Sequence, residues 1–309
     1  MSEQPTLGAD AQVVAAGGDA TALLWWSHVP TLPGEKLGVI GGFEAQSAAA
    51  AQAVLAESLT RLREEQCSLA VGPMDGTTWR RYRFVTEPGT EPPFLLEPEN
   101  PAAWPAWWRE AGFTPLAHYF STATDDLNVR DERLAGVRVR LATAGVSIRK
   151  LDATQFAAEL ERIYAVSVVS FQQNYLYTPL PAAEFTAQYR GLKARLQPEL
   201  VLLAEQAGRP VGYVFAMPDL AQAQRGEPVK TLIVKTLAVL PGRAYAGLGA
   251  VLLDAVQAAA QTLGYTRAIH ALMHESNTSR NLSAHYARTI RRYTLFARRL
   301  GAEVPVVAP

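Results

Sequence analysis

Residues 233–253 read IVKTLAVLPGRAYAGLGAVLL. An apolar β-type run closes at Val239. A loop carrying Pro241, Gly242, Arg243, Gly247 and Gly249 follows, and a helix begins at once. That helix is predicted over Leu248–Leu263, with an apolar stripe of Leu248, Val251, Leu252, Ala255, Val256, Ala259 and Leu263 and a stop at Gly264. A strand, a glycine loop and a helix in this order aim several backbone N–H groups and the positive end of the helix dipole at one point. Such a point favours an anion, typically phosphate or pyrophosphate. Gly247 and Gly249, lacking a Cβ, let backbone and ligand approach closely. A Walker loop requires Gly-Lys-Ser/Thr, whereas Gly249 precedes Ala250-Val251. A dinucleotide fingerprint wants a small residue where Leu252 stands and an acid about 20 residues on, where Ala268–Leu272 offers none.

Outward from this stretch, Val229–Val239 is predicted as a strand, Arg267–Met273 as the next and Arg291–Ala297 as the last. Upstream lie a strand at Val146–Leu151 and helices at Thr154–Gln172 and Ala182–Arg195. A hairpin joins Leu200–Glu205 to Val211–Met217 through Ala207-Gly208-Arg209. The first half repeats the alternation. Gly38–Phe43 is a strand, Gln46–Glu65 a helix and Ser68–Val71 a strand. Residues 74–99 are loop, and Pro101–Ala111 is a helix with Asn100 as N-cap and Pro101 at its first position. Thr114–Ser121 is a closing strand. The strand–helix–strand order at 38–71 recurs at 229–273, which predicts a duplicated α/β unit. The expected divisions are a flexible terminus at 1–20 (order beginning near Leu23–Trp26), a first unit at 21–125, a linker with a bridging helix at 126–145, and a second unit at 146–309.

Composition narrows the function. The 309 residues carry 29 Lys+Arg and 29 Asp+Glu, a net charge of zero, which makes a general nucleic-acid or anionic-membrane binder a poor expectation. The single cysteine, Cys67, excludes an intramolecular disulfide and a cysteine-based zinc cluster. The opening residues lack a basic start and an apolar run, and no run reaches the ~18 residues of a membrane span. A soluble cytoplasmic protein acting on small molecules is the expectation.

The segment Ala244-Tyr245-Ala246-Gly247-Leu248-Gly249 resembles the phosphate motif of the GNAT superfamily of acyl-CoA-dependent N-acyltransferases, Arg/Gln-x-x-Gly-x-Gly/Ala. It fits at both glycines and departs at the first position, where Ala244 stands and Arg243 lies one residue earlier. The resemblance spans roughly residues 146–300. It implies an α/β (α+β) fold of two GNAT-like units, each a mixed central sheet flanked by helices, the first a degenerate copy without the glycine loop. It further implies acetyl-CoA or CoA held by the amides of Tyr245, Ala246, Gly247, Leu248, Gly249 and Ala250. Leu237, Ala238 and Val239 would pair with the pantetheine, Asn277 is the family's landmark asparagine, and no metal is required. The family's tyrosine is absent at Ala284; Tyr286 is the nearby candidate for protonating the departing thiolate.

An acceptor amine must lose a proton before attacking a thioester. Glu205, at a strand end, is either a base or a solvated turn residue. His270 and His274, four apart on one strand, are expected on the same face, with His274 the better base and His270 a core residue. Phe171, Asn174, Tyr175 and Tyr177 occupy a connector that, by the resemblance, lines the acceptor pocket; the other reading is a packed linker. Trp79 reads as an anchor in a structural turn; the other reading has Asp75 and Trp79 face an interdomain cleft. The reading is acetyl transfer from acetyl-CoA to a primary amine, borne by a small molecule or a peptide. The alternatives are a non-catalytic acyl-CoA sensor and an aminoacyl or peptidyl transferase on the same architecture.

Overall fold

The computed structural model describes residues 8–128, 131–191, 193, 196–276 and 287–301. Twelve strands form one sheet that runs through both halves of the chain. In the first half, β1 (Ala11–Val14), β2 (Ala20–Trp25) and β3 (Leu37–Ala45) are antiparallel neighbours. Helix α1 (Ala48–Glu64) then carries the chain to β4 (Leu69–Gly72), which pairs parallel with β3. Ser47 caps α1 by accepting from the N–H of Ala50, and Val54, Leu55, Leu59 and Leu62 bury its apolar stripe.

The second half repeats this plan. β7 (Val146–Lys150), β8 (Val201–Gln206), β9 (Arg209–Pro218) and β10 (Thr231–Val239) are successive antiparallel neighbours. After a short α6 (Leu220–Gln224) between β9 and β10, helix α7 (Leu248–Thr262) leads to β11 (Arg267–His274), parallel to β10. Thus β3–α1–β4 and β10–α7–β11 are the same unit twice. Helices α4 (Phe156–Ser170) and α5 (Ala182–Arg190) cover the sheet face opposite α7, and α3 (Leu134–Thr143) packs beside α7.

The remaining strands exchange places. β6 (Thr114–Thr124) ends the first half but pairs with β11 of the second. β12 (Arg288–Arg299) ends the second half but pairs with β4 of the first. β6 and β12 pair with each other and join the two halves of the sheet. A hydrogen-bonded chain crosses this seam: the N–H of Leu272 donates to Ser121 Oγ at 3.0 Å, Ser121 meets the Tyr293 hydroxyl at 3.0 Å, and Tyr293 donates to Glu97, itself paired with buried Arg291.

Several local expectations change. Residues 11–14 are strand rather than loose terminus, because their backbone pairs with β2. A short strand β5 (Phe84–Glu87) lies within the expected loop and pairs with β12. Asn100 does not cap the next helix. Its side chain bonds the backbone of Val85 instead, at 2.8 Å to the N–H, and α2 (Trp104–Glu110) starts later, near Pro105.

Candidate functional site

β10 and β11 pair only from Thr231/Arg267 to Val234/His270 and then separate. Both carry a bulge at the point of parting, between Val234 and Thr236 on β10 and between His270 and Met273 on β11. Beyond it, the N–H of Leu240 donates to Val211, which sets the parity of the β9–β10 ladder. Ala238 therefore bonds β9, and the backbone groups of Leu237 and Val239 face the open edge. Of the three strand residues expected to pair with a ligand, Ala238 is thus already committed.

The loop at the end of this strand is firmly held. Arg140 of α3 donates to the carbonyls of Ala244, at 3.2 Å, and Ala246. The Tyr245 hydroxyl donates to Gln206 at 2.9 Å. Gly247 has φ +81° as the N-cap of α7, and a Cβ there would meet Val137 of α3 at 2.8 Å. The N–H groups of Tyr245 and Ala246 close the turn onto Gly242 and Arg243. Those of Gly247, Leu248, Gly249 and Ala250 have no acceptor among the described residues. The amides left open are therefore these four rather than the whole 245–250 run. The Arg243 side chain is exposed.

Four unpaired amides at a helix N-terminus and a free strand edge leading to them fit a pyrophosphate joined to an amide-bearing arm. The corresponding split in the first half is filled by its own chain. There the N–H of Met74 donates to Ile40 and Asp75 accepts from the N–H of Gly42, while a Cβ on Gly41 would fall 2.2 Å from the Met74 carbonyl oxygen. The space left beside Phe43, Asp75 and Trp104 is about 20 Å³, room for one water. A larger cavity of about 170 Å³ lies between α3, β7 and α7 and is lined mostly by Leu141, Val146, Ile148, Leu248 and Val251; it is away from the split and carries little polar chemistry.

The bulge on β11 overturns the expected facing of the histidines. His270 points to α7, where the Gln257 amide donates to Nε2 at 3.2 Å, and burial pushes its pKa down to about 4. His274 points to the opposite face, edge-on to Tyr119 at 4.9 Å and beside Tyr175 at 5.8 Å. Burial and the Arg83 charge lower its pKa, so it is neutral at pH 7. Its Nδ1 accepts from the N–H of Ser276 at 3.1 Å and lies 2.7 Å from the Ser276 hydroxyl.

Glu205 is already engaged. Arg149 binds it at 2.7 Å, with Arg162 at 3.5 Å, in a network shared with buried Glu159, and the Arg149 contact holds its carboxyl below the usual range. In the connector, Phe171 and Tyr177 pack against Trp79, whose indole N–H donates to the Thr178 carbonyl at 2.7 Å. Asn174 is exposed, and only Tyr175 reaches the His274 cluster. Asn277 and Tyr286 lie outside the described residues.

Two residues of this face escaped the sequence reading. Lys235 is the extra residue of the β10 bulge, with its ammonium 5.3 Å from the Tyr189 ring. Its side chain meets solvent, and the protein around it pushes its pKa down. Arg83 reaches over from the first half. A cation interrupting an apolar strand was the available signal for Lys235; Arg83 had only its place in an Arg-rich run.

Residues 159–285 match the profile of the family described as "Acetyltransferase (GNAT) family". A bacterial ceramide synthase from Caulobacter vibrioides (strain NA1000 / CB15N) is 24% identical over 163 residues, 52% of this chain and 42% of that protein. The chain thus spans less than half of that relative's length. Among solved structures, a GCN5-related N-acetyltransferase from Sphaerobacter thermophilus has a TM-score of 0.52 at 12% identity, covering 94% of this chain and 80% of the other. A tandem GNAT protein from the clavulanic acid biosynthesis pathway has a TM-score of 0.50 at 13% identity, covering 96% and 86%. At these identities the likeness is one of fold. Among the described residues, no group of side chains is arranged to hold a metal, and no helix is long and apolar enough to cross a membrane.

Proposed function

We propose, from the premise that residues 159–285 form a GNAT-family domain within a tandem GNAT fold, that the chain transfers an acetyl group from acetyl-CoA to a primary amine. The observation that carries this reading is the set of four unpaired amides, Gly247 to Ala250, at the end of an open strand edge. They would hold the pyrophosphate, and Leu237 and Val239 would pair with the pantetheine amides. Acetyl-CoA supplies the thioester carbonyl and the leaving thiolate.

On the opposite face His274 receives the proton of the acceptor amine. Its Nδ1 is reached through the Ser276 hydroxyl, and its lowered pKa keeps it in the basic form at neutral pH. Glu205, neutralised by Arg149, takes no part. Tyr286 is proposed, on the sequence resemblance alone, to return a proton to the thiolate. The filled split of the first half supports one donor site per chain rather than two.

Calorimetric titration of acetyl-CoA, CoA and NAD into the wild type and Gly249→Glu tests this. An acid in the first turn suits the helix dipole but repels a pyrophosphate, and circular dichroism checks that the variant is folded. CoA compounds should bind the wild type, NAD should not, and Gly249→Glu should abolish binding. Failure of CoA to bind the folded wild type overturns the reading. Similarity to a protein named as a ceramide synthase favours a long-chain acyl donor as the second reading, and palmitoyl-CoA in the same titration distinguishes it.

A further inference from the structure

Arg83 is a buried cation with no ion-pair partner among the described residues. It is only 6% exposed, and no carboxylate lies within ion-pair distance of it among the described residues. Its guanidinium is stacked on the rings of Tyr82, at 4.0 Å, and Tyr119, at 4.2 Å. Nη1 makes one long hydrogen bond, 3.4 Å, to the Leu272 carbonyl at the β11 bulge. Nε has no partner, so the Nε/Nη2 edge is the unsatisfied one. That is the edge whose two parallel N–H groups match the two oxygens of a carboxylate. The backbone of Arg83 is held at φ +68°, a conformation that non-glycine residues adopt at a cost.

A buried guanidinium left without an anion is unfavourable unless something compensates it, and the tyrosine faces do so only in part. Lys235 is a second cation without a described ion-pair partner on the same face of the sheet, at the bulge of the other parting strand. One cation therefore stands on each side of the place where β10 and β11 separate. His274 feels the Arg83 charge, and Tyr175 lies beside His274. Among the described residues no carboxylate neutralises either cation.

We propose that Arg83 and Lys235 form a carboxylate-recognition site for the acyl acceptor, so that the acceptor is an amine bearing a carboxylate, of the amino-acid class. The inference rests on the acyl-transfer reading and extends it, because the donor site alone does not select an acceptor. It also gives the first half of the chain a direct part in binding: Arg83 comes from the half whose own split is filled.

The test is calorimetric titration of matched probes into protein saturated with CoA. The pairs are L-alanine against L-alaninamide, β-alanine against β-alaninamide, and O-phosphoethanolamine against ethanolamine. The carboxylates should bind about 30-fold or more tightly than their amides, the scale expected for a desolvated charge pair. Arg83→Met should remove most of that ratio, Arg83→Lys should retain part of it, and Lys235→Met should remove part, all three with CoA affinity unchanged. Equal binding of acid and amide overturns the inference, as does a preference for the phosphate probe or an unchanged ratio in Arg83→Met. Lys235→Met, at an exposed position, gives an independent reading if Arg83→Met fails to fold. If CoA itself does not bind the wild type, the acyl-transfer reading is the one that has failed.

Discussion

Acidification should destabilise this protein through His270. The imidazole is buried against α7, Nε2 accepts from the Gln257 amide, and its pKa falls from 6.5 to about 4. A histidine depressed in the folded state is protonated first in the unfolded chain. Its contribution is complete above pH 6.5 and is lost as pH falls towards 4. With these two values, linkage gives a loss of about 2 kcal/mol between pH 7.5 and pH 5. Urea unfolding at both pH values measures it. The double variant His270→Leu/Gln257→Leu removes both polar partners together, leaving no orphaned amide. His274, also depressed, contributes in the same direction, and Glu97, whose carboxyl burial pushes up, in the opposite one. Both are present in wild type and variant, so the difference isolates His270. The wild type should lose about 2 kcal/mol more than the variant on going to pH 5; equal losses would refute the assignment of a buried neutral imidazole.

Other outcomes follow from the same geometry. Gly41→Ala should destabilise by about 2 kcal/mol or more in urea unfolding, because the new Cβ meets the Met74 backbone at 2.2 Å. Gly136→Ala, with open space around it on α3, should stabilise by about 0.5–1 kcal/mol in the same assay. Arg140→Ala should weaken CoA binding by about 3- to 10-fold in calorimetry, since the loop carbonyls of Ala244 and Ala246 lose their tether. Under the proposed chemistry, the rate should fall as pH drops through a midpoint below 6.5, and His274→Gln should abolish that acid limb. Trp79→Ala should cost about 2–3 kcal/mol and raise the KM for the acceptor, because Phe171, Tyr177 and Phe185 lose their common contact.

The part of the fold legible in the sequence was the part written in local chemistry. Gly242, Gly247 and Gly264 punctuate β10, its loop and α7, and the stripe from Leu248 to Val256 fixes the buried helix face. The repeat of β3–α1–β4 was visible for the same reason. The exchange of β6 and β12 was not, because a strand's own residues carry no mark of which neighbours it will pair with; partner choice is settled by contacts far apart in the chain. The bulges were equally hidden. A one-residue slip reverses every side chain beyond it, which is why spacing placed His270 and His274 together and the fold places them on opposite faces. Short β1 shows strand character only through its pairing with β2. In the candidate site, the loop between β10 and α7 was legible from the spacing of its glycines. Its division into committed and open amides depends on turn hydrogen bonds that no residue type announces.

The crossing of the terminal strands also governs the order in which the molecule can be completed during synthesis. While the first half is emerging from the ribosome, β4 and β6 each present an edge whose eventual neighbour, β12, has not yet been translated. About two hundred residues separate β4 from β12, so this edge cannot be closed by early local folding. Unpaired edges template association between nascent chains. The protein is thus vulnerable until β12 is delivered, and conditions that slow translation near that point should favour co-aggregation over the native sheet.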